Sequence, residues 1–152
     1  NFTYWTQHCW GVTCVNDMEA MLSYLPITIG DKEQALADLV RCYEKMMMRS
    51  HTNGGYVNLL DECWKMCEKF HTNIVIMYDH VSCKNVGGLH GLFEDQARER
   101  GIHLIWIPHD VMDPRTVSRR EMREAFSQYM VTVLNEKPLD PTLLDYEDAL
   151  SW

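Results

Sequence analysis

The stretch Asn73-Ile-Val-Ile-Met-Tyr-Asp-His-Val-Ser-Cys-Lys-Asn-Val-Gly-Gly-Leu-His90 constrains the fold more than any other part of the chain. Ile74 to Tyr78 is an apolar, β-branched run too short for a helix of its own, and it reads as a strand buried on both faces. Polarity switches abruptly at Asp79-His80, and Cys83 follows at the strand's exit. Gly87-Gly88 permit a close backbone approach, after which Leu89, Leu92, Phe93 and Ala97 recur at helical spacing. In a parallel sheet, a strand, loop and helix start in this order form the crevice outside the carboxyl edge where ligands bind. The amides of the helix start favour an anionic group there.

The rest of the chain supplies the elements around that crevice. Residues 1 to 14 are aromatic and cysteine-rich without clear periodicity. Asn16 with Glu19 predicts a helix start, ended by Pro26, and Asp31 with Gln34 resembles a second cap. The helix after it places Leu36, Leu39, Val40, Tyr43, Met46 and Met47 on one expected inner face. Ser50-His-Thr-Asn-Gly-Gly55 is a break and the expected domain boundary. A helix from Tyr56 to Phe70 follows, with Val57, Leu60, Cys63, Trp64 and Cys67 as its buried stripe. The helix after the Cys83 loop runs from about Gly88 to Arg100 and closes on Gly101. Ile102 to Ile107 reads as a second strand, with Pro108 to Pro114 as the loop at its carboxyl end. Ser118 and Glu121 form a capping box, with Val117 and Met122 as its staple. Met122, Ala125, Phe126, Tyr129, Met130, Val133 and Leu134 then form an inner stripe, and Pro138 and Pro141 end the helix. Strand, helix, strand and helix in this order predict parallel strands with right-handed crossovers.

Cys83 is the residue with the clearest chemical placement. A core cysteine normally sits inside an apolar run, whereas this one lies in the polar loop His80 to Lys84. The neighbouring lysine and helix start favour thiolate. Two roles are open on these grounds: a nucleophile with His80 or His90 as base, or an iron–sulfur ligand completed by thiolates from elsewhere in the fold. His109, beside Asp110 at the end of the second strand, is placed to face the same crevice, and His103 reads as structural. Cys63 and Cys67 coincide with an apolar stripe and read as packing, as does Cys42, while Cys9 and Cys14 receive no assignment. Arg115, Arg119, Arg120 and Arg123 cluster at a helix start, where cations oppose the dipole. That placement points to an anionic partner, and a solvated face paired with Glu121 and Glu124 is the favoured reading of the two. Neither a dinucleotide fingerprint, a P-loop nor a G-x-S-x-G elbow is present.

Composition narrows the partners. The chain has 152 residues and a net charge of -8, with no basic stripe, which disfavours nucleic acid. No apolar run approaches the ~20 residues of a membrane span. Six cysteines with ten methionines and no secretory segment fit a reducing cytoplasm. Entry at Asn1 directly into Phe2-Thr-Tyr-Trp reads as mid-domain, so a fragment lacking its N-terminal part is expected.

The ordered combination carries a resemblance. An apolar strand, an S-C-K loop, a helix closed by R-G-I-H-L-I-W-I-P-H-D, and then D-P-R-T-V-S-R-R-E-M-R-E-A-F resemble the C-terminal α/β domain of the benzoyl-CoA reductase and 2-hydroxyacyl-CoA dehydratase family. Residues 55–152 look most like the larger cluster-bearing subunit of the ATP-dependent reductases. The implied fold is a parallel-sheet, flavodoxin-like or Rossmann-like C-terminal domain over residues 53–137. Residues 1–52 would be the truncated, helical end of a preceding α/β domain, and residues 138–152 a C-terminal tail.

The resemblance further implies a cytoplasmic oxidoreductase subunit that reduces the ring of an aromatic acyl-CoA by low-potential single-electron transfer in anaerobic aromatic degradation. The implied cofactor is a [4Fe-4S] cluster with Cys83 as one ligand and the remaining ligands upstream of this fragment, which alone should hold no cluster. The implied partners are a related cluster-bearing subunit, an ATP-hydrolysing activator and the acyl-CoA substrate. His80, Lys84 and His90 are candidates for shaping the environment, with no proton donor assigned. Within the family the alternative is a 2-hydroxyacyl-CoA dehydratase subunit. Outside it stand a non-catalytic α/β interaction module and, last, a cysteine–histidine hydrolase.

Overall fold

The structure, a computed structural model, describes residues 2–18, 25–46, 49, 55–113 and 115–145. In chain order the elements are α1 (Phe2–Trp10), α2 (Lys32–Glu44), α3 (Tyr56–Phe70), β1 (Ile74–His80), α4 (Lys84–Gly87), α5 (His90–Arg100), β2 (His103–His109), α6 (Arg119–Thr132) and a 3-10 turn (Pro141–Leu143). Among the described residues this is a mixed α/β protein of six α-helices and a two-stranded parallel sheet. The chain divides into two compact units, residues 1–14 with 73–152, and residues 15–72. The domain boundary expected at Ser50 to Gly55 falls mostly on residues 50–54, outside the described ones.

In the first unit, β1 and β2 pair in parallel without a slip, from Ile74 opposite His103 to His80 opposite His109. Both strands run two residues past the apolar runs, because the backbone ladder continues regardless of side-chain polarity. His80 and His109, expected in loops, are therefore the last residues of strands. Burial also departs from expectation. Residues Ile74 to Met77 are half-buried and Tyr78 is 41% exposed, whereas Ile105 and Ile107 are sealed. Among the described residues β1 has β2 on one side only, so it cannot be covered like the centre of a wide sheet.

Strand alternation assigns the faces. Ile74, Ile76, Ile105 and Ile107 look toward α1 and α6, in a core with Trp5, Cys9, Trp10, Phe126 and Met130. Phe126 is the hub, its ring 5.9 Å from Phe2, 5.8 Å from Trp5 and 6.4 Å from Trp10. The aromatic N-terminal segment, which showed no periodicity, is thus a helix whose rings fill one face of the sheet. Residues near the C-terminus hold it there: Trp5 Nε1 donates to the Leu143 carbonyl at 2.8 Å, and Leu139 N to the Cys9 carbonyl at 2.7 Å. Gly11 has φ +72°, and a Cβ there would come within 2.8 Å of the Leu139 side chain.

The Ser118–Glu121 capping box forms as expected. The helix it starts ends at Thr132 rather than at the prolines, where Asn135 turns left-handed (φ 54°) and Glu136 N closes onto the Met130 carbonyl at 2.9 Å. Val133, expected inside, is exposed because it lies past that end. On the other sheet face, α5 closes on left-handed Gly101 as expected. It starts at His90, because the residues after Cys83 first make the separate turn α4.

In the second unit, the helix predicted from Asn16 falls largely on residues 19–24, outside the described residues, and Asn16 and Asp17 carry no regular structure. The Asp31 cap of α2 is present, accepting from Gln34 N. Its predicted inner face is not covered: Leu36, Leu39, Val40 and Tyr43 are all at least half exposed. The buried side chain of α2 is instead Asp38, which accepts from Thr28 N (2.9 Å), Thr28 Oγ1 (2.7 Å) and Gln34 Nε2 (2.8 Å) and pairs with Arg41 (2.9 Å). These bonds pin the polar side of the helix to the chain before it. In α3 the buried stripe is Leu59, Leu60, Cys63, Trp64 and Cys67, and Val57 is exposed one turn too early.

Two stability tests follow from these contacts. Phe126→Ala empties the centre of the core and should cost about 3–5 kcal/mol in denaturant unfolding. The Thr28 hydroxyl and amide, then Gln34, hold the Asp38 carboxyl down at about 2. A carboxylate lowered in the folded state stabilises fully above its unfolded value of about 4 and loses that contribution as pH falls. Asp38→Ala should therefore lower the urea midpoint at pH 7, and the difference from wild type should shrink as the pH falls from about 4 through about 2.

Candidate functional site

The carboxyl edge of the sheet gathers the residues singled out in the sequence, but it sorts them onto two faces. His80 and His109 are cross-strand partners on the face shared with α1, their ring centroids 5.9 Å apart, and Tyr78 lies 5.1 Å from His109. Asp79 alternates to the opposite face, where His90 at the first turn of α5 meets it, with Nε2 3.3 Å from Asp79 Oδ1. That contact is close but out of line for a hydrogen bond. The His90 ring lies flat on Trp106, at 3.6 Å and 13°. Of the three histidines expected around one crevice, His80 and His109 share a face of the sheet, while His90 stands on the other face. Period-2 alternation across Asp79-His80 carried that information.

Cys83 is half-buried and stands at the N-cap of α4, just after β1. Its amide donates to the His80 carbonyl at 2.9 Å, and its own carbonyl accepts from Gly87 N at 3.0 Å. Gly88 comes close to the same turn, since a Cβ there would lie 3.1 Å from the Lys84 carbonyl. The β2 exit loop lies alongside. Val81 N donates to the His109 carbonyl at 3.1 Å, and Asp110 Oδ1 accepts from Met112 N (2.9 Å) and Asp113 N (3.2 Å). The Met112 amide first, then the Asp113 amide, the Thr116 hydroxyl and His80, hold the Asp110 carboxyl below the usual carboxylate range. Asp110 is therefore an anion next to His80, with Nε2 and Oδ1 4.0 Å apart.

The remaining cysteines separate by environment. Cys9 is sealed in the core, where burial and then Asp140 push its thiol up, so it is a packing residue. Cys14 is exposed. Cys63 and Cys67 lie in the buried stripe of α3. No group of three or more histidine, cysteine or acidic side chains among the described residues is arranged to hold a metal ion. Cys83 is thus a single half-buried thiol at the carboxyl edge, and no complete ligand set for a metal or cluster is assembled among the described residues. The arginines at the start of α6 are engaged: Arg115 forks onto Asp113 at 2.8–3.2 Å, and Arg120 bonds Glu124 at 2.8 Å.

An open cavity of about 420 Å³ lies at the other rim, lined by Glu94, Arg98, Gly101, His103 and Tyr129 among others. It contains none of the residues around Cys83, and the chemistry places the candidate site at the carboxyl edge instead. The sequence reading missed Asp79, Trp106 and Ser82 as neighbours of the histidines. The first two follow from strand alternation, and Ser82 from its place two residues after His80. No helix among the described residues is long and apolar enough to cross a membrane. Compared with protein-family models, curated proteins and solved structures, the chain finds no match in any of the three.

Proposed function

We propose that the chain is the C-terminal part of a cluster-bearing subunit of the benzoyl-CoA reductase and 2-hydroxyacyl-CoA dehydratase family. In this reading the unit around β1 and β2 is its flavodoxin-like or Rossmann-like domain. The subunit works in the cytoplasm, beside a related cluster-bearing subunit and an ATP-hydrolysing activator, on an aromatic acyl-CoA. Cys83 is one ligand of a [4Fe-4S] cluster whose other ligands come from outside the described residues. When bound, the cluster supplies low-potential single electrons.

One observation supports this above the others. The thiol that the ordered motifs single out is half-buried and directly follows β1, at the edge where parallel sheets bind ligands. The chain's own contribution there is environmental. Backbone bonds set the thiol's position, and ionised Asp110 adds negative charge near His80, a lever on cluster potential. His90, stacked on Trp106 and close to Asp79, is a second polar group at the same edge.

The test uses the full-length subunit purified without oxygen. Bound iron and a visible charge-transfer band are expected, and both should be lost in Cys83→Ser, with activity of the reconstituted complex falling to background. Wild-type protein without iron, or a Cys83→Ser variant that keeps its iron, would overturn the proposal. Net consumption of reductant per turnover marks the ring reductase, while its absence marks the dehydratase.

A further inference from the structure

The directed contacts of the His80 side chain at the carboxyl edge run in two directions. Toward its own loop, Nδ1 faces Ser82 N at 3.2 Å and Ser82 Oγ at 3.1 Å, while the His80 carbonyl accepts from Cys83 N at 2.9 Å. Toward the neighbouring loop, Nε2 faces Val111 N at 3.4 Å and Asp110 Oδ1 at 4.0 Å. A neutral imidazole has one acceptor nitrogen and one N–H. The Ser82 side is shorter and doubled, so it takes the lone pair of the neutral ring, which leaves Nε2 as an N–H 4.0 Å from the Asp110 carboxylate and unable to accept from Val111 N. The ring thus bonds its own loop through Ser82 and turns an N–H toward the Asp110 carboxylate across the two strand exits, and the loop bearing Cys83 turns around the Ser82 arm. That arm, from side chain to the amide two residues on, is the bond an asparagine makes in an Asx turn.

We infer that His80 is a positioning residue, whose ring fixes the loop carrying Cys83 against the β2 exit and so sets where the thiol points. The inference rests on the proposed role of Cys83 as a ligand. It assigns His80 no contact with substrate. Its location accounts for a polar residue at the end of a strand, where the side chain is only 20% exposed.

The test is the rate at which iodoacetamide alkylates Cys83 in this chain, followed site by site by mass spectrometry, with exposed Cys14 and buried Cys9 as internal references. His80→Ala removes the Ser82 arm and the N–H toward Asp110 and should raise the Cys83 rate about tenfold, with Cys14 unchanged. His80→Asn keeps the Ser82 arm and should raise it only about threefold. A Cys83 rate in His80→Ala within about twofold of wild type overturns the inference. If His80→Ala unfolds the unit, shown by reaction of Cys9, then His80→Asn decides, and a wild-type Cys83 rate there overturns it. In the anaerobic full-length subunit the same series should change the electron-paramagnetic-resonance signature of the cluster in the same order. The alkylation readout needs no iron, so an iron-free wild type would sink the ligand assignment while the positioning role is judged separately.

Discussion

The in-register pairing of β1 with β2 is the constraint on which the site depends. A strand has a side-chain period of two, so one fixed pairing, Ile74 with His103, decides the face of every residue up to His80 and His109. A slip by one residue would turn Ile105 and Ile107 out of the aromatic core and separate His80 from His109. The isoleucines are fully buried under Phe126 and Trp5, so the core that stabilises the sheet also sets the geometry at its carboxyl edge. The polar ends of the strands are positioned by apolar residues two and four places earlier.

The same dependence explains why the edge is polar without being loose. Asp110 directs its carboxylate to the amides of its own loop, and His80 lies between that loop and the one after β1, bonded to Ser82 and 4.0 Å from Asp110. Such local bonds cost little conformational entropy, since the partners are a few residues apart or on paired strands. Cys83 is placed by backbone bonds to the His80 carbonyl and the Gly87 amide rather than by full burial.

Much of the fold around the site was legible in the sequence because its signals were local. The Ser118–Glu121 box, the Gly101 stop and the two apolar strand cores are each set by residues within a turn or two of one another. What was not legible depended on distant partners. The residues of α1 have no regular apolar spacing, because two tryptophans and Phe2 bury large rings from several directions around Phe126. The apolar stripe of α2 was read as inward, yet periodicity reports only which side is apolar, and Thr28 with Gln34 holds the Asp38 side. At the site, Cys83 and the histidines were visible as residue types. Their sorting onto two faces needed the true strand ends, which run past the polarity switch.

The bond from Trp5 to the Leu143 carbonyl spans 138 positions of sequence, and the bond from Leu139 to Cys9 closes a loop nearly as long. A ribosome must therefore deliver residue 143 before the first helix can settle onto the sheet. Until then a helix rich in aromatic rings waits without its cover, the nascent-chain state that holding chaperones recognise. High sequence separation of this kind also slows folding, because a long loop has to close before its contacts form. The unit that carries the candidate site is thus closed by contacts of long sequence separation, between its first helix and residues 139–143.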